Sequence, residues 1–342
     1  MACRAPSKGG VLYLTAYTDL AVTPTVLGSD AVLAENIQLA ERGDGRVDRT
    51  DAESIEPGGI DPYIGSYGET ISFDIPVYIP GVGDVTTAHY VSKILRACGY
   101  RESIDDGVAE WWRSVRTCEN IATGLRPLLV TWMQVDGTAH QWTRCVGTVS
   151  IASDNAGVPV MLSVELHGDP ATVVATQDGV PTPAPVYVAQ GVPLSARNAT
   201  LSFGAAVAPR ALYSVEFSDG ISAEDQPSQL AARGLDTPLI YQTDSARMTL
   251  QTVVTATHGV EMWSAFYSQA PDTLVYSVSG QAPSPIFEIE AGRAFAGRPD
   301  LGEQGAARAM TVEWLLKPDR SETDPEARAP AIIRLMEPEE PS

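Results

Sequence analysis

The chain has 342 residues, of which 44% are hydrophobic, and this length favours two domains over a single compact unit. Its 43 acidic and 23 basic residues leave a formal charge of −20, which argues against proteins that grip nucleic acid or anionic membranes. No apolar stretch is long enough to span a membrane and the N-terminus lacks the pattern of a secretory signal, so we expect no membrane anchor and synthesis in a cytoplasm.

Short runs that alternate apolar and polar residues recur along the whole chain. They are rich in β-branched and aromatic residues, and Gly, Pro, Asp and Asn stand at their ends. The clearest runs are residues 11–15, 71–75, 129–133, 146–151, 160–166 and 213–217. This pattern predicts an all-β protein with minor α content, in which each half forms a sandwich or barrel with a flanking short helix or loop.

Residues 87–99 depart from the strand pattern. Tyr90, Ile94 and Leu95 recur at helical spacing, and Gly99 stands where a helix C-cap belongs. We therefore expect a short amphipathic helix that packs on a sheet.

A second helical stretch is expected within residues 105–116, with Trp111 and Trp112 on its apolar side, and an ordered loop is an equally good interpretation. In the first interpretation residues 87–117 form a helical insert. The two tryptophans are also candidate interface anchors, together with Tyr90, Ile94 and Leu95 of the first helix.

Prolines and glycines concentrate between residues 170 and 193, which is typical of turns and extended linkers. We expect one domain in residues 1–172, a Pro-rich linker in 173–193 and a second domain in 194–320. Residues 321–342 are expected to form a partly disordered tail, in which 331–335 adds a last strand.

The second half repeats the order of elements in the first half. Four pairs of segments correspond, namely 37–44 with 213–220, 70–77 with 247–254, 128–133 with 273–278, and 160–169 with 310–319. Identity is low in each pair, but the shared order indicates an internal duplication.

One segment of the sequence resembles a known family. Residues 91–100, Val-Ser-Lys-Ile-Leu-Arg-Ala-Cys-Gly-Tyr, resemble the helix end of tail tube proteins from long-tailed bacteriophages. Residues 146–151 and 157–168 are similar to that family's hairpin pair, although His167 stands where a phenylalanine or threonine is usual.

The resemblance implies a structural virion protein. In that family each tube domain is a small β-sandwich or barrel with one helix, six domains close a ring, inner sheets line a lumen, and a long loop stacks one ring on the next. Two domains in one chain imply trimeric, pseudo-hexameric rings. The acidic segments 43–65 and 219–241 take the place of the stacking loops here, with the candidate residues Asp44, Asp48, Asp51, Glu53, Glu56, Asp61, Glu224, Asp225 and Asp236.

The resemblance also implies partners. The chain is expected to assemble with itself in the virion tail and to meet the tape-measure, terminator and baseplate proteins, while DNA passes through the lumen without specific binding. A distal-tail or baseplate ring protein and a two-domain carbohydrate-binding or adhesion protein are the alternatives.

Residues that carry chemistry do not cluster in the sequence. It contains no GxSxG, HExxH, Walker, GxGxxG or CxxC motif, so we expect no enzymatic activity and no cofactor. Asp48, Asp51 and Glu53 lack the oxygen-ligand alternation of a calcium loop, so no metal is expected either.

Overall fold

The computed structural model describes residues 10–42, 46–47, 63–64, 68–81, 84–85, 89–113, 125–134, 138–154, 157–175, 183–188, 190–204, 212–227, 235–242, 244–253, 255–280, 284–304, 307–319, 321–322, 324, 326 and 328–338.

The strands in the first half are β1 (Gly10–Ala16), β2 (Ala31–Val32), β3 (Glu35–Arg42), β4 (Arg46–Val47), β5 (Tyr63–Ile64), β6 (Gly68–Pro76), β7 (Arg101–Asp105), β8 (Val108–Trp112), β9 (Leu128–Gln134), β10 (Thr138–Asp154) and β11 (Met161–Ala175). Those that follow are β12 (Ala199–Phe203), β13 (Leu212–Ser218), β14 (Ile221–Pro227), β15 (Leu235–Gln242), β16 (Ala246–Val253), β17 (Asp272–Val278), β18 (Phe287–Ala296), β19 (Asp300–Gln304), β20 (Ala307–Leu316) and β21 (Ile332–Met336). The helices are α1 (Tyr90–Ala97) and α2 (Ala256–Ser268), and a short 3-10 turn spans Gly28–Asp30.

Most strands join one large antiparallel sheet, and strands outnumber helices by far among the described residues. The prediction of an all-β protein with minor α content is therefore confirmed. The six clearest alternating runs fall on β1, β6, β9, β10, β11 and β13. In β6, β11 and β13 the apolar positions face the core and the polar positions face outward, whereas β1 and β9 are buried on both sides.

The same strand order occurs twice in the sheet. In the first half it is β1–β9–β10–β11–β6–β3, and in the second half it is β12–β17–β18–β20–β16–β13, with every pairing antiparallel. The four segment pairs of the sequence repeat fall on β3 and β13, β6 and β16, β9 and β17, and β11 and β20. The order of elements in the sequence thus corresponds to a repeated topology.

The connections repeat as well. Helix α1 follows β6 in the first half, and helix α2 follows β16 in the second. A separate two-stranded sheet follows at equivalent places in the chain. It is β4–β5 between β3 and β6, and β14–β15 between β13 and β16. The β7–β8 hairpin is inserted after α1 only, so within the described residues it marks the main difference between the halves.

Helix α1 confirms the helix expected in residues 87–99. It begins after His89, whose Nδ1 accepts a hydrogen bond from the Val91 backbone N–H at 3.3 Å. It ends before Gly99, whose φ of +84° lies in the left-handed region that glycine adopts without strain.

The helix expected in residues 105–116 is wrong. The structure has the β7–β8 hairpin there, and the turn between its strands is Asp106–Gly107, with φ of 43° and 76°. Two positive φ angles are what a tight two-residue hairpin turn requires. Trp111 is buried and Trp112 half-buried, because neighbouring strand residues point to opposite faces.

Two joints connect the halves into one body. Strand β13 pairs with the end of β10, and β21 pairs with both β8 and β18, so the last strand bridges the first and second halves. One continuous hydrophobic core runs through both halves and includes Trp111, Trp142 and Trp314. The last strand expected from residues 331–335 is confirmed.

The segment expected as a linker packs on the first half where it is described. β11 continues to Ala175, which lies inside the predicted linker range. The Tyr13 hydroxyl donates to the Pro183 carbonyl oxygen at 2.6 Å, and the Gln190 amide donates to the Ala31 carbonyl oxygen at 2.9 Å. The domain limits drawn from the sequence stay a prediction.

Candidate assembly surface

A polar face runs along one side of the sheet across both halves. It is built by two four-strand units in line, β3–β6–β11–β10 and β13–β16–β20–β19, where β10 contributes its C-terminal part. The second unit continues the first through the β10–β13 pairing. The face lies opposite the core, since laterally paired residues point to the same side of a sheet.

Carboxylates dominate the charge of this polar face. It carries Asp74, Asp154, Glu165, Glu216, Asp300 and Glu313. Arg247 and His167 are basic residues on the same side, fewer than the carboxylates named above. The face is therefore anionic.

Local contacts hold several of these side chains in place. Asp74 accepts hydrogen bonds from the Asn36 amide at 2.8 Å and the Ser163 hydroxyl at 2.7 Å. Arg247 makes an ion pair with Glu313 at 2.8 Å, and Glu165 lies 3.3 Å from the His167 ring. A shallow depression of about 320 Å³ opens over the first unit and reaches Ser218 of the second.

The joint between the units is short and well packed. Five residue pairs, from Ser150–Ser218 to Asp154–Ser214, connect the end of β10 to β13. Its centre is the pair Ile151–Phe217, and these side chains are 2% and 1% exposed. Ser150, Glu216 and Ser218 point outward, while Ile151, Val215 and Phe217 point inward, so the joint continues both the polar face and the core.

The outer edges of the two units are open within the described part of the chain. Strand β3 pairs with β6 on one side, and no described strand pairs with its other side. Strand β19 likewise pairs with β20 alone. Exposed edges of this kind are templates for pairing with another chain.

Three of the residues expected to stack rings lie on β14 and β15, and the other six fall outside the described residues. Glu224 is exposed on β14, and Asp225 and Asp236 lie on β14 and β15, so residues 221–227 and 235–242 form a two-stranded sheet where the sequence indicated a loop. Asp44, Asp48, Asp51, Glu53, Glu56 and Asp61 fall outside the described residues.

The residues expected at an interface helix are mostly inside the chain's own core. Tyr90, Ile94, Leu95 and Trp111 are each no more than 3% exposed. They belong to the chain's own hydrophobic core, so neither α1 nor β8 presents these side chains to another molecule. Trp112 is half-buried on β8.

Helix α2, unlike α1, exposes large apolar side chains, and the sequence did not indicate this helix. His258 and Met262 are its buried residues, while Val260 and Tyr267 are 70% and 75% exposed. Tyr267 stacks on Trp263 with ring centroids 5.7 Å apart. Because the apolar residues of α2 surround the helix, no amphipathic stripe was visible in the sequence.

A buried polar cluster lies where the halves meet. The Tyr100 hydroxyl donates to the Asp219 carboxylate at 2.8 Å, and Asp219 also accepts from the Ile221 backbone N–H at 3.2 Å. Burial raises the pKa of Asp219 to about 6, although the Arg113 guanidinium and the Tyr100 hydrogen bond lower it. The cluster ties the end of α1 to the turn before β14.

The described residues offer no cluster of three His, Cys, Asp or Glu side chains that would hold a metal ion. Cys98 and Cys145 are buried thiols that are not joined in a disulfide, and burial raises the pKa of Cys98 well above its usual value. In the part of the chain with described structure, neither helix has the length and apolar character needed to cross a membrane. The candidate calcium residues Asp48, Asp51 and Glu53 lie outside it.

Comparison with known proteins gives no family assignment. No family model matches the chain, and no curated protein sequence matches it. The surface described above is therefore interpreted from its own geometry.

Proposed function

We propose that this chain is a structural subunit of a bacteriophage tail tube, in which three copies supply six repeated units to a closed ring and rings stack into a tube. The observation that carries the proposal is the in-line joining of two equivalent four-strand units, whose outer edges are open as far as the chain is described. A unit that joins its own duplicate head to tail has the geometry of a heterologous interface, which closes into a ring or continues as a filament.

The polar face is the natural lining of the lumen in this proposal. Its carboxylates repel phosphate, and the chain as a whole has a formal charge of −20. DNA would then slide along the wall without the counterion-releasing contacts that give nucleic-acid binding its affinity.

The two-stranded sheets β4–β5 and β14–β15 and helix α2 are the remaining surfaces available for contacts between copies. The β14–β15 hairpin forms its own two-stranded sheet, and it carries the exposed Glu224. We assign the contact between successive rings to this hairpin and to β4–β5 in the first repeat. In this proposal the protein resides in the virion tail, with tape-measure, terminator and baseplate proteins as its other partners.

The resemblance of residues 91–100 to the helix end of tail tube proteins supports the same proposal. In the structure this segment forms α1 and its C-cap, and the helix packs against the sheet of the first repeat. The equivalent place in the second repeat is held by α2, which has a different sequence.

The first test is negative-stain electron microscopy of the purified, concentrated protein, together with native mass measurement of the smallest species. We expect rings or tubes built from trimers. A protein that stays monomeric at every concentration would contradict the proposal and favour a carbohydrate-binding or adhesion protein. Closed rings that never stack, in low copy number per virion, would instead indicate a distal-tail or baseplate ring.

A second measurement addresses the lumen. A mobility-shift titration with double-stranded DNA at low salt should show no complex with assembled protein, because the anionic face repels the backbone. Retention of DNA that weakens as salt rises would contradict an anionic lining.

A further inference from the structure

The joint between the two halves contains information about how separate copies of the chain meet. Each four-strand unit has two outer strands. They are β3 and the end of β10 in the first unit, and β13 and β19 in the second; β3 and β13 are called the first strands, and the other two the last strands. Within one chain the last strand of the first unit pairs with the first strand of the second. The first strand of the first unit and the last strand of the second are left open among the described residues.

Cross-strand partners give the residue equivalence between the units. In the first unit Leu39 faces Ile71 on β6. Four residues further along that strand, Ile75 faces Leu162, which in turn faces Ile151.

In the second unit the path is the same. Phe217 faces Met248 on β16. Four residues further on, Thr252 faces Met310, which in turn faces Leu301. Leu39 is therefore equivalent to Phe217, and Leu301 is equivalent to Ile151.

The equivalent residues differ in exposure in an informative way. Ile151 and Phe217 face each other and are almost completely buried. Leu39 and Leu301 point to the same core side of the sheet, but they are 40% and 60% exposed. The two leucines therefore lie exposed on the outer edges of β3 and β19, whereas the equivalent residues Phe217 and Ile151 bury each other at the internal joint.

We propose that β3 of one copy pairs antiparallel with β19 of the next copy, with Leu39 opposite Leu301, in the register of the internal joint. The flanking pairs are then Ala40 with Asp300 and Gln38 with Gly302, before the β-bulge of β3 at Asn36. This inference deepens the proposed function and shares its premise that copies associate, but its geometry comes from the internal joint alone.

The edges are suited to this pairing. Backbone groups on the outer sides of β3 and β19 gain hydrogen-bond partners when the strands meet. The Leu39–Leu301 contact extends the core and the outward-facing pairs extend the polar face. Gly302 has open space around it, since a Cβ placed there would meet no atom within 4 Å. The two edges are different surfaces, so the contact is heterologous and repeats from copy to copy.

Cysteine cross-linking tests the register directly. The background variant carries Cys3→Ser and Cys118→Ser, while the buried Cys98 and Cys145 are kept. In this background, Gln38→Cys with Gly302→Cys places two thiols directly opposite each other across the joint. Mild oxidation should give a ladder of covalent multimers on a non-reducing gel that ends at the trimer. The matched control, Gln38→Cys with Glu303→Cys, points its thiols to opposite faces and should give no ladder.

Mixing experiments test the head-to-tail arrangement. Chains with Gln38→Cys alone, or with Gly302→Cys alone, should not cross-link to themselves, because each edge meets only the other edge. A mixture of the two single variants should give covalent dimers and nothing larger. Cross-linking of either single variant with itself would overturn the proposal.

A charge pair tests the contact between the leucines. Both side chains are exposed in the single chain, so the substitutions leave its own core intact. Leu39→Asp should raise the concentration needed for half-assembly by about tenfold or more, because the apolar contact is lost. Adding Leu301→Lys should restore assembly, whereas adding Leu301→Asp should not. Equal assembly by all three variants would overturn the proposal.

The outcomes separate this inference from the tube function. Rings that form without the Gln38–Gly302 cross-link would overturn the β3–β19 joint and leave the ring proposal standing. A specific cross-link ladder from protein that never forms rings or tubes would support the joint and contradict the tail-tube function. The absence of both would contradict both.

Discussion

Ile151 and Phe217 lie opposite each other across the pairing that joins the first repeat to the second, and both side chains are buried. Replacing Phe217 by alanine removes an aromatic ring from the centre of this joint. We expect a loss of about 3–5 kcal/mol in the free energy of unfolding, measured by denaturant titration of dilute protein.

The equivalent residue of the other repeat is the matched control. Leu39→Ala should change the free energy of unfolding of dilute protein by less than about 0.5 kcal/mol, because Leu39 is 40% exposed there. Equal effects of the two substitutions would contradict the asymmetry between the inner joint and the outer edges.

Gly147 on β10 is a position where the two central strands approach each other too closely for a side chain. A Cβ there would lie 1.8 Å from the Glu165 carbonyl oxygen on β11. We expect Gly147→Ala to destabilise the protein by about 1–3 kcal/mol or more, since the ladder must shift to admit it. Gly157→Ala is the control, because a Cβ there meets no atom within 4 Å. Thermal unfolding of both variants checks this, and an unchanged midpoint for Gly147→Ala would contradict the observed strand packing.

Asp219 predicts a pH dependence of stability. Burial raises its pKa to about 6 in the fold from the ordinary value of 3.8, so between these pH values the folded state binds more protons than the unfolded state. The contribution of Asp219 therefore falls as pH rises through this window, by about 3 kcal/mol at most. Asp219→Asn should flatten this part of the stability profile measured by denaturant unfolding between pH 4 and 7.

Tyr100→Phe is the companion variant for this prediction. The hydroxyl of Tyr100 donates to the Asp219 carboxylate and lowers its pKa, so removing the hydroxyl should move the falling part of the profile to higher pH. A profile identical to that of the unmodified protein would show that Asp219 is not the titrating group.

Arg334 holds the last strand between its neighbours. Its guanidinium contacts Glu110 on β8 at 2.5 Å and Glu288 on β18 at 2.7 Å, and it also contacts Glu290. Arg334→Met leaves three carboxylates without their cation, and we expect a loss of about 2–4 kcal/mol at neutral pH, discounted because the site is 20% exposed.

The control for this prediction is Arg247, a more exposed arginine with two carboxylate partners. Arg247→Met should cost less than about 1 kcal/mol, as surface ion pairs do. Unfolding in urea, followed by tryptophan fluorescence, compares the two variants. A smaller effect at Arg334 than at Arg247 would contradict the role assigned to the cluster.

Local patterns in the sequence account for most of the single elements. Alternation of apolar and polar residues located the main strands, and the spacing of Tyr90, Ile94 and Leu95 located α1. The β7–β8 hairpin was missed because Trp111 and Trp112 suggested a helix face, although Asp106–Gly107 is a recognised hairpin-turn pair. Helix α2 was missed because its apolar residues do not form one stripe.

The assembly surface was less accessible from the sequence. The order of repeated segments indicated the duplication, but which strand edges pair depends on contacts between distant residues. Nothing near Ser150 or Ser218 in the sequence identifies them as partners. The difference between buried Phe217 and exposed Leu39 likewise appears only when the sheet order is known, since both are apolar residues in similar strands.

The last strand has a consequence for the order in which the protein is made. Glu110 and Arg334 are separated by 224 positions, so β8 gains its β21 neighbour only after the whole second repeat has been synthesised. Until then the first half has an incomplete sheet, and closing such a long loop is a slow step in folding. A nascent or truncated chain that ends before β21 therefore lacks the strand that completes the sheet beside β8.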